Sequence, residues 1–141
     1  MKKIKQEKEI GNILKNNGFK VTPSRVRILE ILKEKHSPMT VEDICFLVQN
    51  ETNKTTVYRA LDDFSKKGII YQTHFRDGKT YFEFQDHHHH HIVCTSCGVK
   101  EGISFCVGDI IKKIPKHSKR FTKINDHVLE FFGICQKCNN I

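Results

Sequence analysis

The sequence predicts an α+β protein in which an N-terminal winged helix-turn-helix domain precedes a small α/β domain that contains a four-cysteine zinc site. Three observations predict this architecture. Four helical patterns come first, and two β-rich runs then flank the pair Asp77-Gly78. Two Cys-x-x-Cys pairs follow, at 94–97 and 135–138. Helices followed by a β-hairpin are the element order of a winged helix, and paired cysteine knuckles are typical of structural zinc.

The first three helices are predicted from their end signals. A first pattern stops at Gly18, which suits a left-handed residue after a helix. A second begins at Thr22, which can cap it, with Pro23 in the first helical position. A third begins at Thr40, and Asp43 lies at the capping-box position. Asp77-Gly78 between two alternating runs then predicts the hairpin.

The fourth helical pattern, residues 53–68, has an inward and an outward face. Val57, Leu61 and Phe64 recur at i, i+4 and i+7 and predict the buried stripe. At about 100° per residue, Arg59 points roughly opposite to that stripe. This outward face favours a helix that enters the major groove of DNA, and the alternative is a solvated helix of a small α+β domain. The candidate DNA-contacting residues are Thr55, Thr56, Tyr58 and Arg59, with Lys20 and Arg25 as further candidates.

Composition and charge favour a soluble protein with a polyanionic partner. The formal net charge is +8, which suits DNA, although a basic surface alone would also produce it. No apolar run reaches the ~18 residues that span a bilayer, and the basic start lacks the apolar segment of a signal peptide. We therefore expect a cytoplasmic protein with no membrane partner, whose cysteines are thiols or metal ligands.

The two cysteine pairs predict one closed metal site. Cys94, Cys97, Cys135 and Cys138 supply four thiolates, which complete the tetrahedral geometry of structural Zn²⁺. The alternatives are two disulfides or a redox dithiol, and both are less suited to a cytoplasmic protein. The other two cysteines, Cys45 and Cys106, fall outside the quartet. Cys45 is expected to be a small core residue, and Cys106 is expected to pack at the start of a helix near residue 110.

Five consecutive histidines, residues 87–91, lie between the hairpin and the first cysteine pair. Along an extended chain the side chains alternate, so His88 and His90 face away from the other three. One run can therefore serve two metal sites. Glu83 before it and Glu101 after the knuckle add carboxylates, and such donors suit Fe(II), Mn(II), Ni(II) or Zn(II). The alternative is a solvated polar stretch.

These motifs resemble the ferric uptake regulator (Fur) family of metal-dependent repressors. The matching segments are "GFKVTPSRVRILEIL", "TTVYRALDDFSKKGII", "YFEF", "HHHHHIVCTSCG" and "HVLEFFGICQKC". The resemblance implies a winged-helix DNA-binding domain over residues 1–84 and a metal-binding dimerisation domain over 87–141. It places the family's Tyr-Arg pair on Tyr58 and Arg59 and its structural zinc on the four cysteines. It also implies no catalytic residues and no small-molecule substrate.

The resemblance further implies two metal sites on the histidine run. The family's regulatory metal, at the junction of its domains, falls on Glu83, His89, His91 and Glu101, with His36 as a further candidate. A second site falls on His88, His90 and His127, with Asp109 as the candidate acidic ligand because Gly108 occupies the matching position. This chain departs from the family in three ways: Glu101 comes one residue early, His36 lies in a longer loop before the third helix, and His90 replaces an acidic residue.

The function that follows is a homodimeric repressor that binds a palindromic operator in double-stranded DNA when it binds metal. Fe(II) is the leading regulatory metal, because peroxide-sensing members tend to use aspartates and zinc-sensing members tend to add a cysteine upstream of the run. The alternatives within the family are a zinc-, manganese- or peroxide-responsive regulator. Outside it they are a metal-dependent hydrolase and a constitutive DNA-binding module with structural zinc alone.

Overall fold

The computed structural model describes residues 1–84 and 86–140. The chain divides into two compact units, Met1–Asp86 and His87–Ile141. None of the described helices is both long and apolar enough to cross a membrane.

The first unit contains the four predicted helices. They are α1 (Lys2–Asn16), α2 (Pro23–Lys35), α3 (Val41–Val48) and α4 (Lys54–Lys66). Their starts follow the predicted caps: the Thr22 hydroxyl accepts a bond from the Arg25 amide, and Thr40 and Asp43 form a reciprocal capping box. Asn53 caps α4 through the Thr56 amide, at 2.9 Å. These side chains satisfy amides that the first turn of a helix leaves unbonded.

The helices enclose one apolar core. Its fully buried members come from all four helices and include the α4 stripe. They are Ile10, Leu14, Ile28, Leu29, Leu32, Ile44, Val48, Val57, Leu61 and Phe64. Burying a side chain of this size stabilises the fold by roughly 1.5–3 kcal/mol, so the first unit has enough core to fix the orientation of α4.

A three-stranded sheet completes the first unit, with β1 (Met39–Thr40), β2 (Ile70–His74) and β3 (Thr80–Phe84) in the order β1-β3-β2. All its pairs are antiparallel. The β2–β3 hairpin turns through Arg76 and Gly78, which both have positive φ. The Tyr81 hydroxyl donates to the Asp77 carboxylate at 2.5 Å and braces the turn. This hairpin is the wing of a winged helix.

The second unit is built on a mixed sheet of β4 (His90–Cys94), β5 (Lys100–Ile103) and β6 (Glu130–Gly133). The order is β5-β4-β6, with β4 antiparallel to β5 and parallel to β6. The helix expected to follow Cys106 is short. It is α5, which covers Gly108–Ile111, and a separate 3-10 turn covers Ile114–His117. A last short helix, α6 (Gln136–Asn139), follows Cys135.

Little apolar surface is buried in the second unit. Among its described residues, Val93 and Cys94 are the buried apolar ones, and His90 and His91 are the buried polar ones. A unit of this size with so small a core needs another source of stability, such as bound metal or a partner chain.

Candidate metal centres and DNA-binding face

The four predicted zinc ligands lie together. Cys94, Cys97, Cys135 and Cys138 place their sulfur atoms within 4.8 Å of one another. The Cys97 and Cys135 sulfurs are 3.8 Å apart, which equals the edge of about 3.8 Å that four ligands at 2.3 Å form around Zn²⁺. Gly98, with φ of 75°, turns the first knuckle at the end of β4. The cluster is therefore suited to a structural zinc ion.

The protonation of these thiols also indicates a cation site. Amide donors from Cys135 and Cys97 lower the pKa of the Cys94 thiol to about 6. The pKa of Cys138 rises to about 12: a bond from Ser96 lowers it, and the neighbouring thiols Cys135, Cys97 and Cys94 outweigh that bond. The amide donors therefore favour the Cys94 thiolate, whereas the neighbouring thiols favour the protonated form of Cys138. A bound divalent cation would stabilise all four as thiolates.

The histidine run alternates as expected for an extended chain. The ring centroids of His87 and His89 are 4.9 Å apart, and those of His89 and His91 are 4.8 Å apart. On the other side, His88 and His90 pair at 4.7 Å. The run therefore presents two separate groups of imidazoles.

Gly102, rather than Glu101, lies on the His89/His91 side of the sheet. His91 is paired with Gly102 across β4 and β5, whereas Glu101 is paired with Ile92. Paired residues point to the same face, so Glu101 points away from His91. A Cβ at Gly102 would lie 3.5 Å from the His89 ring. The structure therefore does not bring Glu101 to His89 and His91, contrary to the expected ligand set.

His88 and His90, on the other side of the run, are joined by one further histidine and one cysteine. His127 approaches from the loop before β6, and the centroid of its ring lies 5.0 Å from that of His88 and 5.2 Å from that of His90. Cys106 joins them, so that one ligand atom from each of the four residues lies within 4.8 Å of the others. Burial, and then the nearby His88 and His127, lower the pKa of His90. Both effects favour the neutral form of the His90 imidazole.

The candidate acidic ligand of this group, Asp109, does not join it. Its side chain is 96% exposed and lies 3.6 Å from the Lys112 ammonium, one turn along the chain. The loop after β5 brings Cys106 to the histidines in its place. The sequence offered no signal for this, because Cys106 has no partner at knuckle spacing.

The remaining regulatory candidates belong to the first unit. Glu83 is a buried carboxylate of β3, paired with Tyr71 in the hairpin. His36 ends α2 in a left-handed conformation, with φ of 46°. Its Nδ1 lies 3.8 Å from the carboxylate of Asp86, a residue that no sequence motif indicated.

Helix α4 presents the predicted DNA-binding face. Thr55, Tyr58 and Arg59 are exposed, and Thr56 is half-buried. Thr55 and Arg59 lie roughly opposite the buried stripe, and Thr56 and Tyr58 lie on its flanks. The Lys54 ammonium lies 5.6 Å from the centre of the Tyr58 ring. Lys20 is exposed as well.

Arg25 is held inside the first unit. Its guanidinium donates to the Lys20 carbonyl at 3.2 Å, pairs with Asp63 at 3.5 Å and lies over the Phe19 ring. These contacts tie the start of α2 to α4. The structure therefore gives Arg25 a positioning role towards α4.

A helical unit with a wing, joined to a unit rich in metal ligands, defines a metal-dependent DNA-binding regulator. The sequence profile of the Ferric uptake regulator family matches residues 16–132. The chain is 35% identical over 133 residues to the ferric uptake regulation protein of Neisseria gonorrhoeae, with 89% of this chain and 90% of that protein covered. It is 30% identical over 135 residues to the peroxide operon regulator of Bacillus subtilis, with 94% and 92% covered.

Structural similarity points the same way. The crystal structure of the Vibrio cholerae ferric uptake regulator superimposes with a TM-score of 0.72 at 33% identity, covering 89% of this chain and 98% of that one. The protein belongs to the ferric uptake regulator family. Members of this family are metal-responsive, DNA-binding transcriptional regulators and not enzymes, so the hydrolase alternative is set aside.

Proposed function

We propose that this protein is a homodimeric, Fe(II)-responsive repressor that acts in the cytoplasm on a palindromic operator. The observation that carries the proposal is the division of the histidine run into two groups of imidazoles beside a separate four-cysteine cluster. A structural metal needs only the cysteines. The additional imidazoles provide for an exchangeable ion.

The DNA-binding part of the proposal depends on α4. Its buried stripe fixes the helix against the core, so Thr55, Tyr58 and Arg59 are presented on a rigid element. Arginine can make paired hydrogen bonds to guanine or bind a phosphate, and tyrosine can contact bases or sugars. Exposed Arg76 and Lys79 on the wing would add phosphate contacts.

The donor types support Fe(II) as the regulatory metal. With Glu101 turned away, the set that the family resemblance assigns is reduced to His89, His91 and Glu83. Two histidines and one carboxylate with open positions are the ligand set of many non-haem Fe(II) centres. His36 and Asp86 are further ligand candidates. Zn(II) binds such a site more tightly than Fe(II), so the available metal in the cell decides the occupant.

The alternative regulatory metals are zinc, manganese and nickel. A peroxide-responsive function is a second candidate because the Bacillus subtilis relative carries that name. Peroxide-sensing members tend to use aspartate ligands, whereas the carboxylate assigned to the regulatory site here is Glu83. Asp86 is the one aspartate among the further ligand candidates.

The homodimer is supported by the surface of the second unit. Large apolar side chains are exposed there, including Val128 at 84%, Phe121 at 66% and Phe105 at 64%. So much exposed apolar surface beside so small a core is typical of a unit that completes its core with a partner. A symmetric dimer would present two α4 helices to the two half-sites of a palindrome.

The proposed switch couples metal binding to DNA binding. One ion bound by Glu83 of the first unit and by His89 and His91 of the second would restrict the motion of one unit relative to the other. DNA affinity rises if the restricted arrangement matches the spacing of the operator half-sites. Such coupling is typically about 1–3 kcal/mol, or roughly 5–150-fold in affinity.

The test uses the full-length protein with zinc in its four-cysteine site. A duplex is selected from a random pool by protein supplied with Fe(II) under anaerobic conditions, and its affinity is then measured with and without Fe(II). We expect Fe(II) to strengthen binding at least about fivefold. Equal affinity in both conditions would identify a constitutive DNA-binding module and contradict the proposal.

A further inference from the structure

Three imidazole nitrogens converge on one point in the second unit. The Nε2 atoms of His88 and His90 are 3.2 Å apart, and those of His127 and His90 are 3.4 Å apart. Imidazole nitrogens at 2.0–2.1 Å from a tetrahedral Zn²⁺ are about 3.3–3.4 Å from one another. The spacing of the side chains is therefore that of a coordination sphere.

Hydrogen bonds among the three rings do not account for this arrangement. A neutral imidazole nitrogen either donates one proton or offers one in-plane lone pair. The Nε2 of His90 has two short contacts, to His88 and to His127, and can satisfy one of them. The His90 ring is also hydrogen-bonded to the backbone at Leu129, as ligating histidines commonly are. A cation at the centre satisfies all three Nε2 atoms at once.

The fourth member of the group is a sulfur atom. Cys106 is exposed, forms no disulfide and places its Sγ with the three imidazoles. Gly108 lies beside this sulfur, and a Cβ at Gly108 would be 3.8 Å from it, in ordinary van der Waals contact. Asp109, the carboxylate nearest in sequence, is directed to solvent and Lys112. The group therefore contains nitrogen and sulfur donors and no oxygen donor.

We infer that Cys106 takes the place of the acidic ligand in the second metal site that the family resemblance assigns to His88, His90 and His127, so that three imidazoles and one thiolate there favour Zn²⁺ or Co²⁺. Binding releases the thiol proton of Cys106 and forms the metal–sulfur bond. Thiolate and imidazole ligands in tetrahedral geometry favour zinc, whereas carboxylate-containing sets accommodate Fe(II). The two faces of the histidine run would then separate two metals by donor type. This inference does not depend on the proposed Fe(II) response.

The test uses Co²⁺ as a spectroscopic probe of the ligands. Full-length protein with one zinc per chain in the four-cysteine site is titrated with Co²⁺ under anaerobic conditions. A thiolate bound to Co²⁺ gives a charge-transfer band in the near ultraviolet, and imidazole or carboxylate ligands do not. We expect one equivalent of Co²⁺ per chain to produce this band. Added Zn²⁺ should remove it.

Four variants test whether the sulfur bound to Co²⁺ belongs to Cys106. Cys106→Ser should lose the band and lower Zn²⁺ affinity at this site at least about tenfold, since even the loss of a residue that supports a ligand costs 10–100-fold. His127→Ala should weaken Co²⁺ binding similarly. Asp109→Asn and Cys45→Ala are the matched controls and should behave as the unaltered protein does.

Three outcomes would overturn the inference: no band in the unaltered protein, a band that persists in Cys106→Ser, or a band that disappears in Asp109→Asn. DNA is not present in any of these measurements. A failed Fe(II) response and a failed second site are therefore distinguished.

Discussion

At the scale of residues, two arginines near α4 have different tasks. Arg59 lies on the exposed face, and its position suits direct contact with DNA. Arg25 uses its guanidinium on the Lys20 carbonyl, Asp63 and the Phe19 ring, and so holds α2 against α4. We expect Arg59 to contact DNA, and Arg25 to fix the orientation of the helix that presents Arg59.

Arg59→Ala should weaken binding to the selected duplex by about 1–3 kcal/mol, while zinc content and the free energy of unfolding stay unchanged. Fluorescence anisotropy measures the affinity. The control is Arg120→Ala, which removes the same charge from an exposed position in the second unit. Equal losses in the two variants would mean that α4 contributes only overall charge.

The wing contains a titratable residue with a predictable effect on stability. Burial and the hydrogen bond to Asp77 raise the pKa of Tyr81 from 10.0 to about 12. A raised folded-state pKa stabilises the fold below the unfolded pKa of 10.0, and the contribution is lost as pH rises through 12. The stability advantage of the unaltered protein over Tyr81→Phe should therefore shrink between these pH values, by about 2 kcal/mol at most. Denaturant titrations at pH 9 and pH 12 measure it, and a constant difference would contradict the assignment.

At the scale of elements, helices with clear end signals were predictable from the sequence. Thr22, Thr40 and Gly18 set the ends of the first three helices, and the stripe through Val57 and Phe64 identified α4. The fold class is confirmed. Strand β5 was not predicted, because "KEGI" lacks the alternation of a half-buried strand, and its pairing with β4 is a tertiary effect.

In the candidate sites too, residues with a local sequence signal were predictable, and residues placed by tertiary structure were not. The four cysteines were predictable because each knuckle is encoded within four residues. Glu101 and Cys106 were not, because their directions depend on the register of β5 and on the loop that follows it. A one-residue change of register moves a side chain to the other face of a sheet.

The capping box of α3 provides a prediction at this scale. Thr40→Ala removes the side chain that accepts from the Asp43 amide, and should lower the free energy of unfolding by about 1 kcal/mol. Denaturation followed by circular dichroism measures the change. Thr52→Ala, in the turn between α3 and α4, has no capping role and should change stability much less. Equal effects would show that the capping bond contributes nothing.

At the scale of the whole molecule, the two units are stabilised differently. The first has a continuous apolar core, whereas the second has few buried apolar residues among those described. Structural zinc sites in small domains contribute on the order of 10–16 kcal/mol. The proposed metal and the proposed partner chain therefore take the place of a core in the second unit.

Cys97→Ser should accordingly remove the structural zinc, unfold the second unit and abolish the dimer, while the first unit keeps its helices. Metal analysis, sedimentation and circular dichroism measure these three properties. Cys45→Ala, in the first unit, should retain both the zinc and the dimer. A folded, zinc-free dimer of Cys97→Ser would contradict the structural role.

We propose the His89/His91 face as the Fe(II) sensor, and binding isotherms of two double variants test this role most directly. Anaerobic Fe(II) titrations of binding to the selected duplex compare His89→Ala/His91→Ala with His88→Ala/His90→Ala. His74→Ala/His117→Ala, outside both groups, is the matched control. We expect the first pair to lose most of the Fe(II) response with its zinc and dimer intact, and the second pair to lose less. If the second pair loses the response and the first retains it, the sensor lies on the face that contains Cys106, and the assignment is wrong.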